Sequence, residues 1–199
     1  MSQKIIKLKV IKKSRPKLKQ GDIFYYSIND KYYLGIVILT ELNNIVIGDN
    51  VVITILLVNY SVENINDVSI DLLIEKVESL DIIAPPLVIN KKSWWLGYFN
   101  NLSNMSYNNS FILNNLRLEC WDYICNSKGE KANDIPEIKL FGSSGIYGFE
   151  GVEYLIQLGL GLAYDENEEP YSYYIDDDFK KYIKNRKLPY WYYNSLPKK

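Results

Sequence analysis

The chain has 199 residues, of which 47% are hydrophobic and 24% charged, enough apolar material for one folded core and too much for a disordered chain. It contains no histidine, which excludes Ser-His-Asp and Cys-His triads, histidine-bearing zinc sites and the commonest general base at neutral pH. Net charge is −1, but residues 1–19 carry eight bases and no acid, residues 20–175 carry 8 bases and 21 acids, and residues 176–199 carry 7 bases and 3 acids.

An acidic body of this kind repels nucleic acid and attracts a basic partner. The two cysteines, Cys120 and Cys125, are too few for a four-thiolate zinc site and lack the Cys-x-x-Cys spacing, so they read as buried thiols. Neither a signal peptide nor a membrane span is expected, since no apolar run follows the basic start and none approaches ~20 residues. The expected location is cytoplasmic.

In chain order, Lys4–Lys12 alternates apolar Ile6, Leu8 and Val10 with lysines, a strand with one wet face and lysines that blunt an edge. Asp22–Ile28 and Tyr32–Thr40 predict a hairpin around Asn29-Asp30-Lys31. Asn43-Asn44 is a turn, and Ile45–Tyr60 reads as two strands broken at Gly48-Asp49-Asn50. Across Asp67–Ser79 the apolar spacing changes to three and four, with Asp71, Glu75 and Glu78 between. That predicts a short helix with Asp67 as N-cap.

Asp81–Asn90 contains Pro85-Pro86 and reads as an edge strand or connector. Ser93–Phe99 reads as a strand and Asn100–Ser110 as a loop. Phe111–Leu118 and Cys120–Asn126 read as strands, followed by a turn at Ser127–Glu130 and a short strand at Pro136–Phe141. Gly142–Gly148 reads as a loop that enters a helix at about Phe149–Leu158, ended by Gly159 and Gly161. In that helix Val152, Leu155 and Ile156 share one face, and Glu150, Glu153 and Gln157 the other. Asp165–Pro170 is an acidic linker. A short C-terminal helix at Asp176–Lys187 completes the reading. The expected fold is α+β, mainly antiparallel, a twisted sheet or partly closed barrel with two or three short helices. Residues 1–162 are expected to form the main β-rich domain, and 163–199 an acidic linker and a Tyr-rich C-terminal segment packed on or extending it.

The glycines at 142, 145, 148 and 151 precede a helix but lack the Gly-Lys-Ser/Thr of a phosphate loop. The acidic run at Asp165–Glu169 lacks the Asp-x-Asp-x-Asp-Gly pattern of a calcium loop. Four Trp and 18 Tyr are many for this length. They serve half-buried β faces, or contact surfaces, where Tyr and Trp are enriched. Trp94 and Trp121 are expected in the core. The aromatics around Trp191 are harder to bury.

Three segments resemble, in order, the immunity protein 26 family of bacterial polymorphic toxin systems. They are Lys17-Leu-Lys-Gln-Gly-Asp-Ile-Phe24 with Asn29-Asp-Lys-Tyr-Tyr-Leu-Gly-Ile-Val37, then Trp94-Trp95-Leu-Gly97, then Gly145-Ile-Tyr-Gly-Phe-Glu-Gly-Val-Glu153. The resemblance spans about residues 17–160, and the Tyr-rich end has no counterpart in it. It implies a non-enzymatic antitoxin that binds a cognate toxin domain and occludes its active site. No catalytic residue, metal or cofactor is expected. Some relatives carry a phosphotriesterase label, a chemistry whose usual histidine ligands this chain lacks.

A basic toxin domain would suit the acidic body, with contacts at Glu150, Glu153 and Gln157 and at Asp176, Asp177, Asp178 and Trp191. Two other classes stay open. The opening hairpin also looks like an SH3-like barrel, including PemK-type endoribonucleases, in which the arm Lys4–Lys19 would contact RNA. A carboxylate-based hydrolase would need two carboxylates about 5–10 Å apart, and no pair stands out.

Overall fold

The computed structural model describes residues 8–41, 52–105, 110–120, 123–132 and 140–160. The expectations for Asn43–Asn50, Trp121, Pro136–Lys139 and the whole segment 163–199 lie outside these residues.

The fold is α+β, with mostly antiparallel strands. Among the described residues eight strands form one open sheet: β1 (Asp22–Ile28), β2 (Lys31–Leu39), β3 (Ile53–Val62), β4 (Ile82–Ile89), β5 (Asn100–Asn104), β6 (Leu116–Cys120), β7 (Tyr123–Asn126) and β8 (Leu140–Tyr147). Their order is β5-β1-β2-β3-β4-β8-β6-β7. The β4–β8 and β6–β8 pairs are parallel and the others antiparallel. β5 and β7 are the two edges, so the described strands make a sheet rather than a barrel.

Among the described residues four helices cover it: α1 (Ile70–Glu78), α2 (Lys92–Leu96), α3 (Ser110–Asn115) and α4 (Phe149–Leu160). Among the described residues no helix is long and apolar enough to cross a membrane.

The β1–β2 hairpin is local chemistry. Ile28 pairs with Lys31 across a two-residue turn in which Asn29 and Asp30 both have positive φ, at 52° and 60°. Two positive φ values give the turn a twist that matches the strands, and Asn and Asp tolerate them.

The strands sort their side chains to two sides. Ile23, Leu34, Ile36, Leu56 and Val58 join one core with Leu73 and Val77 of α1 and Ile112 of α3. Phe24, Tyr26, Val37, Ile55 and Leu57 join the other, with Leu8, Leu18, Trp94 of α2 and Val152, Leu155 and Ile156 of α4. With both faces covered, the central strands become nearly continuous apolar runs, as in Ile53–Val58, interrupted by the buried Thr54, and all of β4.

That burial overturns the reading of Asp81–Asn90 as an edge or connector: β4 lies between β3 and β8. Its prolines fall in a gap of the ladder. Leu57 pairs with Ala84 and Ile55 with Leu87, so β4 holds one extra residue there, and the pairing to β8 starts at Leu87. A bulge frees the positions that cannot donate.

Other local readings are also corrected. The N-cap of α1 is Ser69, whose hydroxyl accepts from the Leu72 N–H at 3.3 Å, while Asp67 closes a preceding 3-10 turn. Ser93–Phe99 contains helix α2, ended by Gly97 at φ 93°. Asn100–Asn104 is edge strand β5, and Ser110–Asn115 is helix before β6 begins.

Gly142–Gly148 is mostly strand β8. A Cβ at Gly142 would lie 2.2 Å from the Pro86 carbonyl, so glycine there permits close approach to β4. Gly159 likewise lies inside α4, where a Cβ would lie 2.0 Å from the Ile83 carbonyl. It permits packing rather than termination.

Candidate functional site

The three motif segments meet on one side of the sheet. Phe24 stacks on Phe99 at 4.7 Å and meets the Trp94 ring edge-on at 5.2 Å. Trp94 donates from Nε1 to Asn101 Oδ1 at 2.8 Å. Asn101 and Asn104 donate in turn to the Asp22 carboxylate, at 3.2 and 2.7 Å. The Lys19 N–H donates to the same carboxylate at 2.8 Å. Asp22 is buried, and these three neutral donors satisfy it. The asparagines of β5, read from sequence as loop composition, therefore do bonding work.

Across this side lies the segment Leu8–Gln20. It has no helix to satisfy its backbone, so its N–H groups bond to the body. Lys9 donates to the Ser27 carbonyl, Ile11 and Lys12 to that of Gly97, and Ser14 to that of Trp94. The Leu8 N–H donates to Glu153 Oε1 of α4 at 2.8 Å. Lys9 also pairs with Asp30. The expected strand at Lys4–Lys12 is reduced, among the described residues, to one bridge between Lys9 and Ser27. Trp94 is inside, as expected, while its neighbour Trp95 stays 48% exposed with the Arg15 guanidinium 6.0 Å from its ring centre.

The opposite side presents α1. From Glu63 to Asp81 the chain carries six acids and one base, Lys76, which pairs with Asp81 at 2.5 Å. Asp71, Glu75 and Glu78 are spaced four and three apart, so they form one stripe. All three are exposed. Asp71 suits the helix N-terminus, but Glu75 and Glu78 oppose the dipole at the other end. The helix dipole therefore does not account for the stripe. Ile70 and Leu72 flank it, each 36% exposed. Ser69 fixes the entry to the helix, since its own N–H donates to the Tyr60 hydroxyl at 2.9 Å.

The expected contact residues are not brought together as one open face. Glu150 is exposed at the start of α4. Glu153 is partly covered and tied to Leu8. Gln157 is 5% exposed, because the side of α4 expected to be wet is partly closed. Asp176, Asp177, Asp178 and Trp191 lie outside the described residues. The α1 stripe was visible as acids spaced between apolar residues, but its solvent face needs the sheet to define it. From sequence, Trp94 is assigned to the core and Trp95 is given no role of its own.

No protein-family model, curated protein or solved structure matches the chain.

Proposed function

We propose that the protein is a non-enzymatic immunity protein of the cytoplasm, which binds a cognate toxin domain and blocks it by occlusion. The observation that carries this reading is the α1 surface: three carboxylates in one stripe between Ile70 and Leu72, on a capped helix seated on the sheet. Such a surface suits a basic protein domain. Charge steers the encounter, and apolar side chains that lose water on contact supply affinity. The helix is preformed, so little ordering is needed on binding. Motif order supports the same reading, as does the convergence of the motif residues into one support for the sheet. Glu150, together with the residues Asp176–Asp178 and Trp191, remains a second candidate contact.

The test is co-expression with the product of the neighbouring open reading frame, with growth and tagged co-purification as readouts. The expected result is restored growth and a stoichiometric complex. Asp71→Lys with Glu75→Lys should slow association by at least about tenfold at low salt, and Leu72→Ala should speed dissociation. Growth arrest despite full expression of the protein, with no complex recovered, would overturn the proposal.

A further inference from the structure

The segment Leu8–Gln20 carries six cations and no acid, on the side of the sheet away from α1. Four of these cations recur at every second residue. Lys13, Arg15, Lys17 and Lys19 are exposed, Ser14 and Pro16 are partly covered, and Leu18 is buried. Alternating exposure belongs to an extended chain, in which side chains two residues apart project to one side about 6.6 Å from each other. The row is pinned at both ends, by Ser14 on the Trp94 carbonyl and by the Lys19 N–H on Asp22.

Lysines beside a sheet ordinarily protect its edge. Here the bridge to β1 is at Lys9, ahead of the row, so edge protection does not account for it. Among the described residues, Lys13, Arg15, Lys17 and Lys19 form no ion pair. Among the described residues, the acids placed on this side are Asp30, paired with Lys9, the buried Asp22, and Glu150 and Glu153 of α4. Beside the row stand the exposed Trp95 indole and Val10, the latter 59% exposed.

We infer that this row is a binding track for single-stranded nucleic acid, with successive phosphates on the four cations and a base on Trp95. An acidic peptide strand could match the charge spacing. The flat indole beside the row, 48% exposed with the Arg15 guanidinium 6.0 Å from its ring centre, favours a polynucleotide, because every base offers a π-face and an arginine beside it can add a cation–π contact. This second surface lies on the side of the sheet away from the α1 stripe. The chain-average charge argues against nucleic acid, but the row Lys13–Lys19 is a local run of cations without an acid in its sequence, which the average does not describe.

Fluorescence anisotropy of the full chain with a labelled single-stranded RNA of about 12 nucleotides tests the track. Binding should weaken from about 50 to 200 mM salt, with a log–log slope of about −2.8 for four phosphates. Lys13→Glu with Lys17→Glu should weaken binding by at least about tenfold and flatten the slope. Trp95→Ala should weaken it by about tenfold with the slope unchanged. These side chains are exposed, and an unchanged urea midpoint checks that each variant is folded. Absence of binding, or equal binding by the charge-reversed variant, would overturn the inference. So would polyglutamate competing as well as RNA while Trp95→Ala has no effect, a result that assigns the row to an acidic protein.

Discussion

The two coverings of the sheet differ in charge and in how they are held. On one side, Leu8–Gln20 is an extended segment with six cations, and its backbone bonds go to Ser27, Gly97, Trp94, Asp22 and Glu153. On the other, α1 satisfies most of its own backbone and is seated by Leu73 and Val77. The difference shows why a net charge of −1 says little about this molecule: it describes neither covering. It also makes the basic side dependent on a few body residues, whereas the acidic side depends on apolar packing. An extended segment without a ladder must borrow acceptors, and here it borrows from β1, from α2 and its end, and from α4.

Trp94 is the point at which the basic side should break. It is fully buried against Phe24 and Phe99, and its carbonyl holds Ser14. Trp94→Ala should cost about 3–5 kcal/mol in urea unfolding. Amide exchange at Ile11, Lys12 and Ser14 should rise by more than the global loss requires, with α1 following the global value. Leu73→Ala on the other side should cost about 2–5 kcal/mol and show the reverse pattern, with α1 exposed first. Equal exchange changes on both sides in both variants would show that the coverings are one cooperative unit, and the comparison would fail.

A smaller effect sharpens the acidic side. Ser69→Ala removes the hydroxyl that accepts from Leu72 and should cost about 1 kcal/mol. Because the Asp71–Glu78 stripe depends on the first turn being formed, the variant should also slow association with a basic partner, by less than Asp71→Lys with Glu75→Lys does. A cost indistinguishable from zero would mean that the Tyr60 hydroxyl and core packing hold the helix start without the cap.

The parts legible in sequence are those fixed within a few residues. The β1–β2 hairpin follows from two apolar runs and an Asn-Asp turn, and α1 from its three-and-four spacing. Its cap is displaced by two residues because both Asp67 and Ser69 are capable caps, and the Tyr60 hydroxyl on the Ser69 N–H favours the second. The missed parts depend on distant contacts. Pro85-Pro86 is central because a bulge removes the need for their N–H groups. Gly142 is in a strand because a carbonyl of β4 lies against it.

One buried and one exposed tryptophan suit a helix as well as a strand, so Trp94-Trp95 carried no local signal of α2. At the candidate site the acidic spacing in α1 was legible, but its exposure was not. Gln157 read as wet because nothing in α4 itself announces what covers it. The cation row at Lys13–Lys19 was visible as charge, and only the alternating burial of Ser14, Pro16 and Leu18 gives it a direction.

The smallest expected effect concerns Lys9 and Asp30, the ion pair that joins the basic segment to the β1–β2 turn. The Lys9 ammonium holds the Asp30 carboxyl below its ordinary range, first by hydrogen bonding and then by charge attraction. A carboxyl with a lowered folded-state value contributes stability above its unfolded value, and loses that contribution as pH falls through the folded value. Any contribution from this pair is therefore present at neutral pH and disappears in acid. Both side chains are exposed, at 54% and 88%, and water screens such pairs. Lys9→Gln should therefore leave the urea midpoint at pH 7 unchanged within error, while NMR titration shows Asp30 moving up toward an ordinary carboxylate. The Lys9 N–H to Ser27 bond is made by the backbone and survives the substitution, so the segment should keep its place. If the midpoint falls clearly, or exchange at Ile11 and Lys12 rises, this side-chain pair anchors the basic side and the backbone bonds alone do not.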